Sequence, residues 1–292
     1  MKSLKTLLNE NIKFLEDAGI EEARLDAWLL LEYTTGKNKA WFLAHDTDPA
    51  EPELEARYRA LIEKRALHIP LQHLTHQAFF MGYEFYVDEN VLIPRWDTEI
   101  LVEEALKALK GKEKPYILDM CTGSGCILLS LLMEREDACG MGADLSEKAL
   151  AVAERNAGNL GLAERASFWK SDLFGAEVFQ KRGGNSAFEC DILVSNPPYI
   201  RSSEIENLME EVRLHDPLMA LDGREDGLYF YREIAAKAMT YIKTGGMLLC
   251  EIGYDQGEAV SSLFADAGFS DVQVVKDLAG LDRVVLGRKD GI

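Results

Sequence analysis

The sequence predicts an α/β fold: a mostly parallel sheet with helices on both faces, preceded by a small helical region. Three observations carry this. From Lys114 onward, short apolar runs alternate with helical stretches, the pattern of strand–helix–strand units. A glycine-bearing turn, "CTGSGC" (121–126), joins the first of those runs to an apolar helix. The first 75 residues, by contrast, carry only helical periodicity.

The elements follow in order. Leu4, Leu7, Leu8, Ile12 and Leu15 repeat at the helical period, as do Ala23, Ala27, Leu30 and Leu31. Gly19 and Gly36 punctuate these helices, and Pro49 and Pro52 precede a third over 53–68. Between 77 and 93 the texture turns aromatic and β-branched, with Gly82 and Asp88–Asn90 as turn signals, which predicts a β-hairpin. "PRWDTEILVEEALKAL" (94–109) then opens a helix, with Asp97 or Thr98 as N-cap and Glu99, Glu103 and Glu104 early in it. The expected domains are therefore a helical region at 1–75, a hairpin linker at 76–98 and an α/β domain at 99–292.

In the α/β part, "YILDM", "GMGADL", "ASFWKSD", "CDILVSN", "GGMLLCEIG" and "VQVVKDL…RVVLGRK" supply strands. "ILLSLLMER", a helix capped by Ser146, and helices near 226–243 and 256–267 lie between them. Residues 175–189 read as a loop, and no internal repeat is visible.

With 292 residues, 47% hydrophobic and 28% charged, the composition is that of an ordinary globular protein. No apolar run reaches the ~18 residues of a membrane helix, and the start lacks the h-region of a signal peptide. The five cysteines are odd in number and scattered, with no C-x-x-C pair. A cytosolic protein without disulfides or a bound metal is expected. Net charge is −18, with 50 acids against 32 bases and no basic run longer than two. That disfavours a nucleic-acid grip and favours a small molecule or a basic protein partner.

Three acids end three successive strands: Asp119, Asp144 and Asp172. They line the carboxyl edge of the sheet, where open α/β sheets bind ligands, and an acid ending the second strand can accept both ribose hydroxyls of an adenosine group. The turn at Cys121–Gly125 brings a helix N-terminus to the same edge. It is not a dinucleotide fingerprint, because Leu128 stands where the packing glycine belongs, and it is not a P-loop. A nucleoside-bearing ligand is the reading that remains.

The fourth strand delivers "SNPPYI" (195–200) to this edge. Asn196 precedes a proline and is held extended. Pro197 and Pro198 fix φ, and neither has an N–H. The Asn196 side-chain oxygen and the Pro197 carbonyl are thus presented rigidly beside the Tyr199 ring. Two converging acceptors suit a planar NH2 group, whose lone pair is delocalised and poorly nucleophilic. Hydrogen bonds from both its N–H groups, held out of plane, would localise that pair towards an electrophile. No general base is required, since an alkylated amide nitrogen sheds a proton readily.

Together, the acid-tipped sheet, the D-x-x-x-G-x-G turn and NPPY resemble S-adenosylmethionine-dependent methyltransferases of amino groups. "PLQHLTHQAFFMGYEFYVDENVLIPRWDTEILVEEAL" (70–106), "HDPLMALDG" (215–223) and "DRVVLGR" (282–288) narrow the resemblance to the PrmC/HemK family. These are the peptide-chain release factor glutamine N(5)-methyltransferases. The resemblance runs from about Pro70 to Arg288. It implies a Rossmann-like class I methyltransferase sheet and a small N-terminal helical domain that recognises the substrate. The implied reaction uses S-adenosyl-L-methionine, leaves S-adenosyl-L-homocysteine, and methylates the glutamine of the Gly-Gly-Gln motif in class-1 release factors. Cofactor contacts would come from Asp119, Cys121, Thr122, Gly123, Ser124, Gly125, Asp144, Leu145, Asp172, Leu173 and Asn196. Asn196, Pro197 and Tyr199 would carry the chemistry, with Pro198 completing the glutamine pocket. Cys121 stands where the family usually has Gly, Trp96 where it usually has Pro, and "HDP" where an aromatic-Glu-Pro is usual.

NPPY is shared with adenine-N6 DNA methyltransferases, which would need a basic recognition region; residues 1–75 hold 10 Lys/Arg against 13 Asp/Glu. A ribosomal-protein glutamine methyltransferase would share the chemistry and differ in the N-terminal region. A silent S-adenosylmethionine-binding protein would have no use for an intact NPPY.

Overall fold

The computed structural model describes residues 1–180 and 189–291. Two compact units separate: Met1–Gln77 with Met209–His215, and Ala78–Leu208 with the chain from Asp216 onward.

The first unit holds helices α1 (Leu4–Asp17), α2 (Ala23–Thr35), α3 (Lys39–Ala44), α4 (Pro52–Arg65) and α5 (Leu71–Thr75). Ser3 caps α1 by accepting from the Thr6 N–H at 3.2 Å. Pro52 opens α4, with Glu53 and Glu55 in its first turn and Lys64 and Arg65 in its last. The sequence reading did not resolve α3 and α5, which have six and five residues, too few to show a period. Every apolar position singled out on α1 and α2 is buried, packed with Phe42, Tyr58 and Ile62. Buried Arg65 donates from Nε to Asp26 at 2.7 Å and from Nη2 to Glu211 at 2.8 Å. A buried guanidinium needs such partners, and one of them comes from the 209–215 segment, far along the chain.

The second unit begins with the hairpin of β1 (Ala78–Phe80) and β2 (Tyr83–Phe85), paired antiparallel. Phe80 and Phe85 are buried in one cluster with Leu101 and Leu128, so the hairpin belongs to the sheet unit's own core. Then follow α6 (Thr98–Ala108), β3 (Tyr116–Met120), α7 (Cys126–Glu134), β4 (Cys139–Asp144), α8 (Glu147–Asn159) and β5 (Ala166–Lys170). The remainder runs β6 (Cys190–Ser195), α9 (Glu210–His215, in the first unit), α10 (Leu218–Leu221), α11 (Tyr229–Tyr241) and β7 (Ile242–Glu251). It closes with α12 (Gly257–Asp266), β8 (Ser270–Lys276) and β9 (Asp282–Arg288). Of the expected loop at 175–189, Glu177–Phe179 form one 3-10 turn, and 181–188 lie outside the described residues.

The seven strands lie in the order β5-β4-β3-β6-β7-β9-β8, parallel except where β9 inserts antiparallel between β7 and β8. This is the α/β class I methyltransferase sheet. Both faces are covered. Leu118, Met120 and Leu193 face Ile234, Ala238 and Phe264 on α11 and α12. Ile117, Ile192 and Val194 face Leu101, Ala105 and Leu131 on α6 and α7. Strands buried on both faces explain the unbroken apolar runs in the sequence. Among the described residues no helix is long and apolar enough to cross a membrane.

Candidate active site

The chain runs β3 to β4 to β5 on one side, then returns to lay β6 on the other side of β3. The carboxyl ends of β3 and β6 therefore flank a topological switch point, where loops diverge and leave a crevice. A cavity of about 440 Å³ lies there, walled by Cys121–Ser124, Asp144, Leu145, Asp172, Leu173 and Asn196 among others.

The turn after β3 brings its backbone against the cavity. Gly125 opens α7 at φ 79°, and a Cβ there would stand 3.1 Å from Leu129 and 3.2 Å from Ala153. Asp144, at the end of β4, accepts from the Gly123 N–H and the Ser146 N–H, each at 2.9 Å. It thus ties the turn to the start of α8, and each oxygen keeps a further lone pair for a ligand hydroxyl. Burial raises its carboxyl above the usual range. With Asp172 and the apolar Leu145 and Leu173 in the same wall, these residues fit a nucleoside with vicinal hydroxyls.

Asp119 and Gly125 stand behind the cavity wall rather than in it. Asp119 is 0% exposed, and its Oδ2 accepts from the Thr122 hydroxyl at 2.6 Å. Burial pushes its carboxyl up to about 7. It supports the turn from beneath, outside the cavity wall.

The NPPY turn is clamped from three directions. The Ser195 hydroxyl donates to the Met120 carbonyl at 2.6 Å. The Ile200 N–H donates to Leu221 at 3.0 Å, and Ile200 accepts from the Gly223 N–H at 2.8 Å. Gln256 Nε2 donates to the carbonyls of Tyr199 at 3.1 Å and Gly227 at 3.3 Å. A Cβ on Gly227 would lie 2.5 Å from the Tyr199 carbonyl, so this backbone approach requires glycine. Asn196 and Pro198 face the cavity, while Pro197 is buried and Tyr199 half-buried beside it. Burial raises the Tyr199 phenol, keeping it protonated at neutral pH.

Sequence reasoning missed much of the remaining wall: Val91–Arg95, Thr98, Pro217–Ala220, Arg224 and Phe230. Arg95 joins two of these pieces by donating to Asp216 at 2.7 Å. It also missed Gln256, Arg283 and Glu251, the last an acid that ends β7 just as Asp144 ends β4. That shared position was the available signal. Asp97 precedes α6 without capping it through its side chain; its carboxylate is drawn 3.1 Å from Arg283 instead.

Cys121 adopts φ 62°, a left-handed conformation that costs a non-glycine residue roughly 1–2 kcal/mol. Burial first, then the neighbouring Asp144 and Asp119, hold its thiol well above the ordinary range, so it is no thiolate nucleophile. Cys121→Gly should therefore stay within about 1 kcal/mol of the parent, strain relief offsetting glycine's extra chain entropy. S-adenosylhomocysteine affinity should be retained. Cys121→Val, β-branched at positive φ, should lose both stability and affinity; thermal melts and calorimetry on the two variants check this.

Residues 6–75 match the family model described as the PrmC N-terminal domain, and residues 97–215 match that of the methyltransferase small domain. The chain is 42% identical to the release factor glutamine methyltransferase of Caulobacter vibrioides, over 94% of this chain and 93% of that one. It is 37% identical to the release factor glutamine methyltransferase of Geobacter sulfurreducens, covering 98% and 96%. Among solved structures, a methyltransferase from Pyrococcus furiosus superposes at TM-score 0.50 and 13% identity, covering 72% of this chain and 90% of that one, a likeness of fold.

Proposed function

Because the chain belongs to the release factor glutamine methyltransferase family, we propose that it methylates the side-chain amide nitrogen of the glutamine in the Gly-Gly-Gln motif of class-1 release factors. The observation that carries the reading is Asn196 facing a cavity whose other walls suit a nucleoside. S-adenosyl-L-methionine would supply an electrophilic methyl group there and leave as S-adenosyl-L-homocysteine.

The chain's own residues have four tasks. Asp144 would accept the ribose hydroxyls, Asp172 and Leu173 would border the adenine, and the turn 121–124 would hold the amino-acid end. Asn196 Oδ1 and the Pro197 carbonyl accept the two amide N–H groups of the glutamine. That holds the NH2 out of conjugation with its carbonyl and exposes the nitrogen lone pair. The buried prolines and the Tyr199 ring keep water from competing for those acceptors. The nitrogen, once alkylated, releases one proton to solvent, so no side-chain base is needed. Residues 1–75 serve as the recognition domain for the factor, and net charge −18 suits a basic protein surface.

The test is incubation with purified release factor, ribosomal proteins or DNA and the labelled cofactor, then mass spectrometry of tryptic peptides. A gain of about 14 Da (one CH2, with the proton lost) on the Gly-Gly-Gln glutamine is expected. Label on adenine, or on a ribosomal-protein glutamine in preference to the factor, would overturn the reading.

A further inference from the structure

A carboxamide has nearly the same shape either way round, so Asn196 can offer its oxygen to a substrate NH2 only if something dictates which end faces the cavity. Its Nδ2 donates to Thr98 Oγ1 at 3.3 Å. Thr98 is the first residue of α6 and is 2% exposed. A hydroxyl has one proton, and with Oγ1 accepting from Asn196 that proton must go elsewhere.

Glu251, 2% exposed at the end of β7, lies on that side. The nearby Thr98 and Tyr199 side chains hold its carboxyl down against burial, and its buried Oε2 has no hydrogen-bond partner among the described residues, so an acceptor stands open on that side. An ionised carboxylate accepts and never donates. As the open acceptor on that side it would receive the hydrogen bond of the Thr98 hydroxyl, leaving Thr98 able only to accept from Asn196.

We propose that Thr98 and Glu251 are positioning residues that fix the polarity of the Asn196 carboxamide, holding its Oδ1 towards the substrate nitrogen. This rests on the glutamine methylation proposed above. Neither residue touches the reacting atoms; each acts through Asn196 or Tyr199.

The arrangement has a pH dependence. Around the Glu251 carboxyl stand Asp97 and Thr98 at the start of α6, Cys126 on α7, Tyr199 after β6, Tyr231 on α11 and Arg283 on β9. Burial pushes the carboxyl up to about 7, against Thr98, Arg283 and Tyr199, which lower it, and with Asp97, which raises it. Once protonated, Glu251 can donate to Thr98. The Thr98 proton is then free to bond Asn196 Oδ1, and the acceptor needed by the substrate is occupied. Turnover should fall as pH drops through about 7, with cofactor affinity unaffected.

The experiment uses the full chain and intact release factor, with turnover, S-adenosylhomocysteine affinity and the Glu251 carboxyl followed by carbon NMR. Thr98→Val keeps the shape and removes the hydroxyl. It should lower turnover about tenfold to a hundredfold, the usual penalty for misorienting a catalytic group, at unchanged affinity. Glu251 should titrate higher in that variant, because a donor to its ionised form is gone. Thr98→Ser, which keeps the hydroxyl, should recover most of the turnover. Glu251→Gln, with an NH2 to donate, should behave at high pH as the parent does at low pH, with a flat profile. If the parent methylates the factor but Thr98→Val matches it, or Thr98→Val leaves the Glu251 titration unmoved, the positioning role is wrong. If the parent leaves the factor unmethylated, the substrate reading fails first and this role falls with it.

Discussion

Asn196→Ala should lower turnover by about 10²–10³-fold, the scale for removing one preorganised group that meets developing charge, while S-adenosylhomocysteine affinity changes little. The amide nitrogen becomes ammonium-like only as the methyl is transferred, so an acceptor held against its N–H is worth most at that moment. Asp144→Ala should show the opposite pattern, weakening the cofactor by roughly 1.5–3 kcal/mol, as expected for lost hydrogen bonds to a charged acceptor. The structure places this effect towards the upper end. The same carboxylate accepts from the Gly123 and Ser146 N–H groups, so its loss also loosens the turn. Calorimetry with S-adenosylhomocysteine and single-turnover kinetics separate the two roles. Loss of cofactor binding in Asn196→Ala but not in Asp144→Ala would reverse the assignments.

A release factor carrying Gln→Glu in its Gly-Gly-Gln motif should not be methylated, with discrimination on the order of 10⁴-fold or more. Glutamate would bring two acceptors and a charge to a pocket in which, on the proposed reading, Asn196 Oδ1 and the Pro197 carbonyl are acceptors already. Asn196 Oδ1 and the Pro197 carbonyl would both stay unpaired and face a carboxylate. Each unsatisfied group costs about 1–3 kcal/mol, more when charge is involved. Nor can Asn196 simply turn its NH2 towards the acid, because Nδ2 is engaged by Thr98 at 3.3 Å. Competition assays in which the Gln→Glu factor binds but gains no mass would agree; measurable methyl transfer to it would not.

These expectations draw on features that were legible at different levels. The strand "YILDM" coincides with β3, Ser146 caps α8 as expected, and Asp144, Asp172 and Asn196 arrive at one cavity. All of this was visible along the chain because it depends on neighbours within a few residues: apolar period, cap spacing, and an acid at the end of a strand. What the chain could not show was which distant segments would share the site. β9 enters antiparallel beside β7 and brings Arg283 alongside Asp97. Glu251 and Thr98 lie at opposite ends of the stretch from α6 to β7, with α7 to α11 between them, and come close only because β7 ends behind the start of α6. Residues 209–215 join the helical unit because buried Arg65 draws in Glu211. The sequence alone determined the order of elements and the chemistry carried to the sheet edge, since both follow from local propensity and covalent spacing. The tertiary structure decided which acid touches the cavity and which stands behind it, as Asp144 and Asp119 do. That difference lies in burial and in hydrogen bonds across long separations, and neither leaves a periodic trace in the chain.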